Sequence, residues 1–399
     1  MIDLLGLIGS LPKESDFKKR MRLHQGWWRA FVLGENEGKH PMKDDENICN
    51  TLLNGEQTKN NFLSNLVKNV VGEVLKGRSD GSAGLVDQKR LFNNLLSSQP
   101  LCFNFFAPMY IDKKLALTFL RKFYPEITAV NEVNFEHANS KNKYDNSAFD
   151  IAFDVNDGSK KGIIGFECKY TDSFSPTPHR KTAYEVIYQQ SNIWTKPYEE
   201  LTCSKFNQLF RNQLIAESFK QDKQYDFGYM VLFCHHKDDE AIKIAEEYKL
   251  MLKEEQTHHF QIITYKDFFE QLMKLDLTWQ TREYYMFLWA RYCGLKLSNS
   301  AYGQMKENEK GYYKVYDVDE MDLQNKRMVA TLEGGVIYSA ENEDGLFVII
   351  DQSTLSDFLN EQDKKEIGCF TSIYKFVNEA ERKSFINKYK MKIIETDGI

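Results

Sequence analysis

Through the first hundred residues the apolar positions recur mostly at helical spacing. Lys18 to Leu33 forms one amphipathic run containing Trp27-Trp28-Arg29, and the run Phe62 to Leu75 brings Phe62, Leu63, Leu66, Val70 and Val71 onto one face. A Gly- and Asp-containing loop is expected near 34–58, an exposed loop from Gly77 to Gly84, and another helix through Leu96. From about residue 113 the pattern changes. Lys113 to Phe123 reads as a helix stopped near Pro125, followed by strand-like runs at Thr128–Glu136, Ala148–Val155 and Ile163–Tyr170. Asn156-Asp157-Gly158-Ser159 supplies the turn between the last two. Ser204 serves as N-cap for a helix to about Phe219, with Tyr229–Cys234 a buried strand, Asp238–Leu252 a helix and Phe260–Thr264 a strand. The order predicts an α/β core with one mixed sheet flanked by helices. A helix-rich stretch, Asp267 to Leu295, closes it.

Beyond Ser298 come short strands at Tyr312–Tyr316, Met328–Leu332, Gly335–Ser339 and Leu346–Ile350, then a helix with Thr354 and Asp357 spaced as a capping box. The expected division is a helical N-terminal region over 1–112 packing on the core, the core itself over 113–298, and a small α+β accessory domain over 299–399.

A chain of 399 residues suits two or three domains, and 42% hydrophobic with 14% aromatic residues excludes intrinsic disorder. It holds no apolar stretch long enough for a transmembrane helix, and the apolar start, Met1 to Ser10, lacks the basic flank of a signal peptide. The cysteines, seven in number and with no C-x-x-C pair, argue against a disulfide framework or structural zinc and favour a reducing, cytoplasmic compartment. Net charge is −6, but residues 301–399 carry 13 Lys and Arg against 19 Asp and Glu, leaving the first 300 residues balanced at 39 of each. A balanced body can still present a basic groove, so charge neither supports nor excludes a nucleic acid partner.

The chemistry concentrates in Ser147-Ala-Phe-Asp150-Ile-Ala-Phe and Ile163-Ile-Gly-Phe-Glu167-Cys-Lys169-Tyr. Side chains two apart on a strand share a face, so Glu167 and Lys169 project together, and the turn brings Asp150 beside them. An ion-pair network on a half-exposed sheet is the plainer reading, but such networks seldom sit in a run this apolar. Asp150 and Glu167 can hold a hard cation such as Mg²⁺, with Mn²⁺ as substitute, and the Cys168 backbone carbonyl could add a ligand. Lys169 can orient an attacking water or stabilise charge on a phosphate. Mutual repulsion should raise at least one carboxyl pKa in the absence of metal. His235-His236 and His258-His259 are adjacent pairs, whose side chains at a strand end diverge, so structural or surface roles are expected. No P-loop, G-x-S-x-G or H-E-x-x-H motif occurs. Trp27-Trp28-Arg29 could stack on bases, though core packing of at least one Trp is the first expectation.

The acidic strand followed by E-x-K resembles the PD-(D/E)xK nuclease superfamily, with Phe149 in place of the usual Pro. The phrases Ser97-Ser-Gln-Pro-Leu-Cys-Phe-Asn-Phe-Phe and Gln208-Leu-Phe-Arg211-Asn-Gln213-Leu are similar to a group of bacterial restriction-endonuclease-like proteins, and the resemblance covers about residues 20–295. It implies a restriction-endonuclease-like fold and a further acidic residue, for which Glu132 is preferred over Glu136. It implies too that Gln208, Arg211 and Asn212 on the polar face of the following helix can support the site or touch phosphate, with a solvated helix face as the plainer reading of Gln208 and Arg211. His179-Arg180-Lys181 could meet phosphates just past the site, or form a solvated loop. The implied activity is Mg²⁺-dependent DNA endonuclease, in restriction or defence against foreign DNA. Cutting both strands calls for a homodimer, and the acidic balance of 299–399 fits a protein partner or regulation. The alternatives are a non-catalytic binding module on the same fold, or a nuclease for RNA or repair intermediates.

Overall fold

The computed structural model describes residues 14–40, 43–78, 86–139, 147–310, 312–315, 323–332, 335–342, 345–352 and 371–394. Met1–Ser10, most of the Gly77–Gly84 loop, Tyr316 and the Thr354–Asp357 capping box lie outside the described residues. The chain divides into two compact units between Leu297 and Ser298.

The first unit begins with helix α1, Asp16–Trp27, whose N-cap Ser15 accepts the Lys18 N–H, and continues as a π-helical turn, Trp28–Leu33, ending at Gly34. Part of the segment expected as a loop instead forms a hairpin, β1 (Glu37–His40) against β2 (Lys43–Leu52). Gly38 is required there, because a Cβ would collide with the Leu52 carbonyl. Arg29, buried, ties the turn to the hairpin through the Cys49 carbonyl at 2.7 Å. Helices α2 (Asn65–Gly77), α3 (Gln88–Asn93), α4 (Ser98–Ile111) and α5 (Lys113–Leu120) follow.

The central sheet has five strands in the order β3 (Ala129–His137), β4 (Phe149–Asp157), β5 (Lys160–Lys169), β6 (Phe227–Cys234), β7 (Phe260–Thr264). The first three run antiparallel and the last two continue parallel to β5. Between β5 and β6 lie α6 (Thr182–Ser191) and α7 (Asn207–Gln221); α8 (Asp239–Lys249) links β6 to β7, and α9 (Tyr265–Leu272) and α10 (Trp279–Tyr292) complete the unit. The N-terminal residue of α7 is Asn207, with Phe206 rather than Ser204 at the cap, so the expected N-cap is displaced.

Each sheet face buries its own core. On one face Phe153, Phe166 and Phe233 meet α4, α9 and α10; on the other Ile163, Met230 and Leu232 meet α6, α7 and α8. Phe105 and Phe106 of α4 set ring against ring with Phe166, Phe233 and Phe268 at 5.0–5.3 Å, mostly edge to face, and truncation of one such side chain costs about 3–5 kcal/mol. Pro108 sits inside α4 and cannot bond the Asn104 carbonyl; Tyr284 of α10 donates its hydroxyl there at 2.6 Å instead. Strand β6 is covered on both faces, which is why its sequence is apolar without alternation.

In the second unit, α11 (Asn299–Lys310) precedes a five-stranded antiparallel sheet ordered β8 (Tyr312–Val315), β12 (Thr371–Phe376), β11 (Gly345–Asp351), β10 (Gly335–Asn342), β9 (Gln324–Leu332). Helix α12 (Glu379–Ile394) packs Phe385 and Ile386 onto Ile337, Val348 and Phe376. Among the described residues no helix is long and apolar enough to cross a membrane.

Candidate functional site

At the C-terminal end of β5 the alternation of the strand parts two environments. Phe166, Cys168 and Tyr170 enter the α4 core, where the Cys168 thiol hydrogen-bonds that of Cys102. Glu167 and Lys169 project to the other face, toward α7. They are 8% and 6% exposed, so two charged groups have been taken largely out of water and must be paired.

The pairing comes from α7. The Gln208 amide donates through Nε2 to Glu167 Oε1 at 2.6 Å, while its Oε1 accepts Lys169 Nζ at 3.1 Å and the Ser175 N–H at 2.8 Å. One turn on, Asn212 Nδ2 donates to Glu167 Oε2 at 2.7 Å. The i, i+4 spacing puts both amides on one face of the helix, one for each carboxylate oxygen. Lys169 Nζ also lies 3.4 Å from Glu167 Oε1 and over the Phe174 ring. From the opposite side Tyr265 donates its hydroxyl to the Lys169 carbonyl at 2.6 Å, fixing the strand end.

Asp150 is the second residue of β4 and is locked to β5 by the Cys168 N–H, 2.7 Å from Oδ2. Phe149, at the position where Pro is usual, is fully buried, and its ring occupies the space over Gly165 that any Cβ would fill. Asp150, Glu167, Lys169, Gln208, Arg211 and Asn212 all line one cleft of about 580 Å³. The Nε of Arg211 is enclosed without a hydrogen-bond partner. At the mouth Arg90 and Asp172 pair at 3.3 Å, beside Ser98 at the N-terminus of α4.

A further carboxylate belongs to the cleft, and it is Glu136. Register sets Phe135 opposite Ile151 and His137 opposite Phe149, so Glu136 stands across from Asp150. Its φ of 50° lies in the left-handed region, a conformation costing of order 1 kcal/mol for a residue with a Cβ. Glu132 is an exposed side chain paired with Asp154, about 13 Å farther along the strand. The preference for Glu132 is therefore corrected to Glu136. Hairpin connectivity was the available signal: the end of β3 must meet the start of β4. Arg90, Ser98 and Asp172 carried no signal in the sequence.

His179, Arg180 and Lys181 are not among the residues lining the cleft. The His179 N–H is bonded to Asn207 Oδ1 at 3.0 Å, and Lys181 sits at the start of α6 with its ammonium over Tyr184. The segment is a loop leading from the cleft to α6, with Arg180 and Lys181 exposed.

The electrostatics of the cleft are those of crowded carboxyls. Burial, then repulsion from Glu167 and Glu136, holds the Asp150 carboxyl well above its ordinary range, against the pull of the Cys168 N–H and Lys169. Burial also pushes Glu136 up to about 7, with Arg78 opposing and Glu167 adding to the rise. A divalent cation would relieve this repulsion, and the cleft lining contains carboxylates and amides but no His or Cys, a donor set that fits a hard cation.

A different cluster, His235, His236 and Cys293, places its ligand atoms within 4.8 Å of one another. The His rings stack rather than diverge, at 4.3 Å. Yet His235 Nδ1 accepts the Lys237 N–H at 3.0 Å and Nε2 faces the Tyr292 carbonyl at 3.1 Å. Both nitrogens are committed, burial holds its pKa down at about 3, and the residue is a neutral structural link.

Residues 12–294 match a family model described as the PD-(D/E)XK nuclease superfamily. No curated protein and no solved structure matches the chain.

Proposed function

The chain belongs to the PD-(D/E)XK nuclease superfamily, and from that premise we propose that it is a Mg²⁺-dependent endonuclease hydrolysing DNA phosphodiester bonds, with Asp150, Glu167 and Lys169 as its catalytic residues. Members of the superfamily generally use divalent metals. Asp150 and Glu167, with Glu136 and the Cys168 carbonyl, would hold the cation here, and Mn²⁺ could substitute for Mg²⁺. When bound, such a cation neutralises charge on the phosphate and acidifies water.

The protein's own groups supply the rest. The Lys169 ammonium, held by Gln208, donates to the attacking water or to a non-bridging phosphate oxygen. As the bond from water oxygen to phosphorus forms and the bond to the leaving sugar oxygen breaks, the attacking water gives up one proton to bulk water and the leaving oxygen takes one up from it. Arg211 presents its guanidinium to the cleft, where it would bind phosphate oxygens bidentately. Gln208 and Asn212 are positioning residues: they hold Glu167 and act on the substrate only through it and Lys169.

The observation that carries this reading is the single Gln208 amide joining Glu167 to Lys169 at the edge of a carboxylate-lined cleft. A surface ion pair needs no such clamp. We assign the enzyme to restriction or defence against foreign DNA, as a homodimer, with 299–399 as an accessory domain for recognition or assembly. The test is cleavage of plasmid, single-stranded DNA and RNA with Mg²⁺, Mn²⁺ or EDTA, comparing the wild type with Asp150→Ala and Lys169→Ala. Metal-dependent cutting that both variants retain would sink the site assignment. Cutting of RNA alone would overturn the substrate, and no cutting of any of the three would favour a binding module.

A further inference from the structure

The catalytic cleft is lined from both faces of the sheet. Helix α7, packed on one face, brings Gln208, Arg211 and Asn212; Arg90 of α3 and Ser98 of α4 come from the side of the other face. The lining holds four carboxyl groups against three cations, so a polyanion that enters must be met by positive charge not already committed. Lys169 is committed, because it is 6% exposed and held by Gln208 and Glu167. Arg90 is held far more loosely. Its Nη2 lies 3.3 Å from Asp172 Oδ2, and the Ser98 hydroxyl reaches the same oxygen at 3.5 Å. A well-made bond between guanidinium and carboxylate is about 2.7–2.9 Å and often uses both arms of the fork. Among the described residues Nε and Nη1 of Arg90 have no partner. The two side chains are 41% and 39% exposed, where an ion pair shifts an equilibrium by at most about fivefold.

We propose that Arg90 and Ser98 form a phosphate subsite beside the catalytic centre, which a nucleic acid phosphate next to the scissile one takes over from the Asp172 carboxylate. The placement is built into the fold. Asp172 follows Lys169 by three residues, a stretch that spans at most about 10 Å. Thr171, between them and 7% exposed, donates its hydroxyl to the Leu96 carbonyl at 3.4 Å, which ties the end of β5 to the turn before α4. Arg90 and Ser98 already converge on an anionic oxygen, and that oxygen belongs to the protein. A phosphate fits the same donors better: the guanidinium fork can take two of its oxygens while Ser98 donates to one of them. Asp172 then serves as the counter-ion of Arg90 in the empty cleft, and its exposure leaves it to water once the phosphate is in place. Because the pair is weak, the exchange is nearly balanced and favours the ligand with more acceptors.

The subsite is read from Arg90, Ser98 and Asp172, while its ligand, a nucleic acid strand, rests on the nuclease reading above. Binding is measured by fluorescence anisotropy on labelled DNA, single-stranded and duplex, and on RNA of the same sequence. The full chain is used with Mg²⁺ and carries Lys169→Ala to prevent cutting. Asp172→Asn should tighten binding about two- to fivefold, and the gain should vanish when Arg90→Gln is added. Arg90→Gln alone should weaken binding at least about threefold. It should also lower the slope of log affinity against log salt by about 0.9 on duplex DNA or about 0.7 on a single strand, and Arg90→Lys should restore that slope. With Lys169 in place, Arg90→Gln should raise KM and leave kcat little changed. Circular dichroism and melting should not change, since both side chains stand partly in solvent. Weaker binding by Asp172→Asn, a gain that persists without Arg90, or an unaltered salt slope in Arg90→Gln would each overturn the subsite. If the wild type cuts nucleic acid while these variants bind alike, the subsite falls and the nuclease reading stands. If nothing is bound or cut, the nuclease reading falls and takes the subsite with it.

Discussion

Replacing Gln208 with Ala tests whether the clamp between Glu167 and Lys169 serves chemistry or only packing. Gln208 makes a charge-assisted bond of 2.6 Å to the carboxylate and another of 3.1 Å to the ammonium. Each is worth about 1.5–3 kcal/mol when intact. The cleft is open to solvent, so water recovers part of both, and a net loss of about 2–3 kcal/mol is expected in the transition state. That is about 30- to 150-fold in rate. The loss should fall on kcat with KM for DNA little changed, because Gln208 holds groups that act on the phosphate and does not itself bind it. Asn212→Ala is the control. Asn212 bonds Glu167 but not Lys169, and it is buried, so its removal should cost more in melting temperature and less in kcat. Single-turnover cleavage of a plasmid with Mg²⁺ gives the rates, and calorimetry the stabilities. If Gln208→Ala cuts as fast as wild type, or fails only through a raised KM, the clamp does not position the reacting groups.

Glu136→Gln should impair cleavage, whereas Glu132→Gln, at an exposed position outside the cleft, should leave it unchanged; the reverse result would reinstate Glu132. The same substitution carries a pH signature. A carboxyl raised from 4.5 to about 7 binds its proton more tightly in the folded state than in the unfolded chain. Its penalty is absent below about pH 4.5, grows as pH rises through 7 and is full above, at up to about 3 kcal/mol. Metal-free wild type should therefore lose melting temperature between about pH 5 and about pH 8 more steeply than Glu136→Gln, and parallel curves would count against the crowded-carboxyl account. Arg291 is fully buried and donates to the Asn61 carbonyl at 2.7 Å and to Asn61 Oδ1 at 2.6 Å. Arg291→Met takes the donor from Asn61 Oδ1 and Gln25 Oε1, while Asn104 still donates to the Asn61 carbonyl, so urea unfolding should show a loss of about 2–5 kcal/mol; a loss below about 1 kcal/mol would mean the site relaxes around the change.

Periodicity made some of this legible and could not reach the rest. Strand alternation is a rigid rule, so Glu167 and Lys169 could be put on one face from spacing alone, and Phe166 and Cys168 on the other. The three antiparallel strands around them each carry a clear period or a turn signal such as the one at Gly158, whose φ is 58°. Helix α4 has neither: it is buried on nearly every side, so its apolar residues run together and no stripe marks it. Yet α4 places Ser98 at the cleft and packs the phenylalanines that support β5 from behind. Pattern identifies an element by the difference between its faces, and elements without that difference escape it. The same limit explains α10 in the opposite sense. Its outer apolar face looks in sequence like one more buried side, and only the structure shows that nothing within the described residues of its own unit covers Trp279. Glu136 marks a separate limit. Alternation assigns it and Glu132 to the same face with equal force, and cannot rank them. The ranking depends on distance along the hairpin: β3 leaves the sheet beside the point where β4 enters, so the carboxyl nearer that end is the one Asp150 must face.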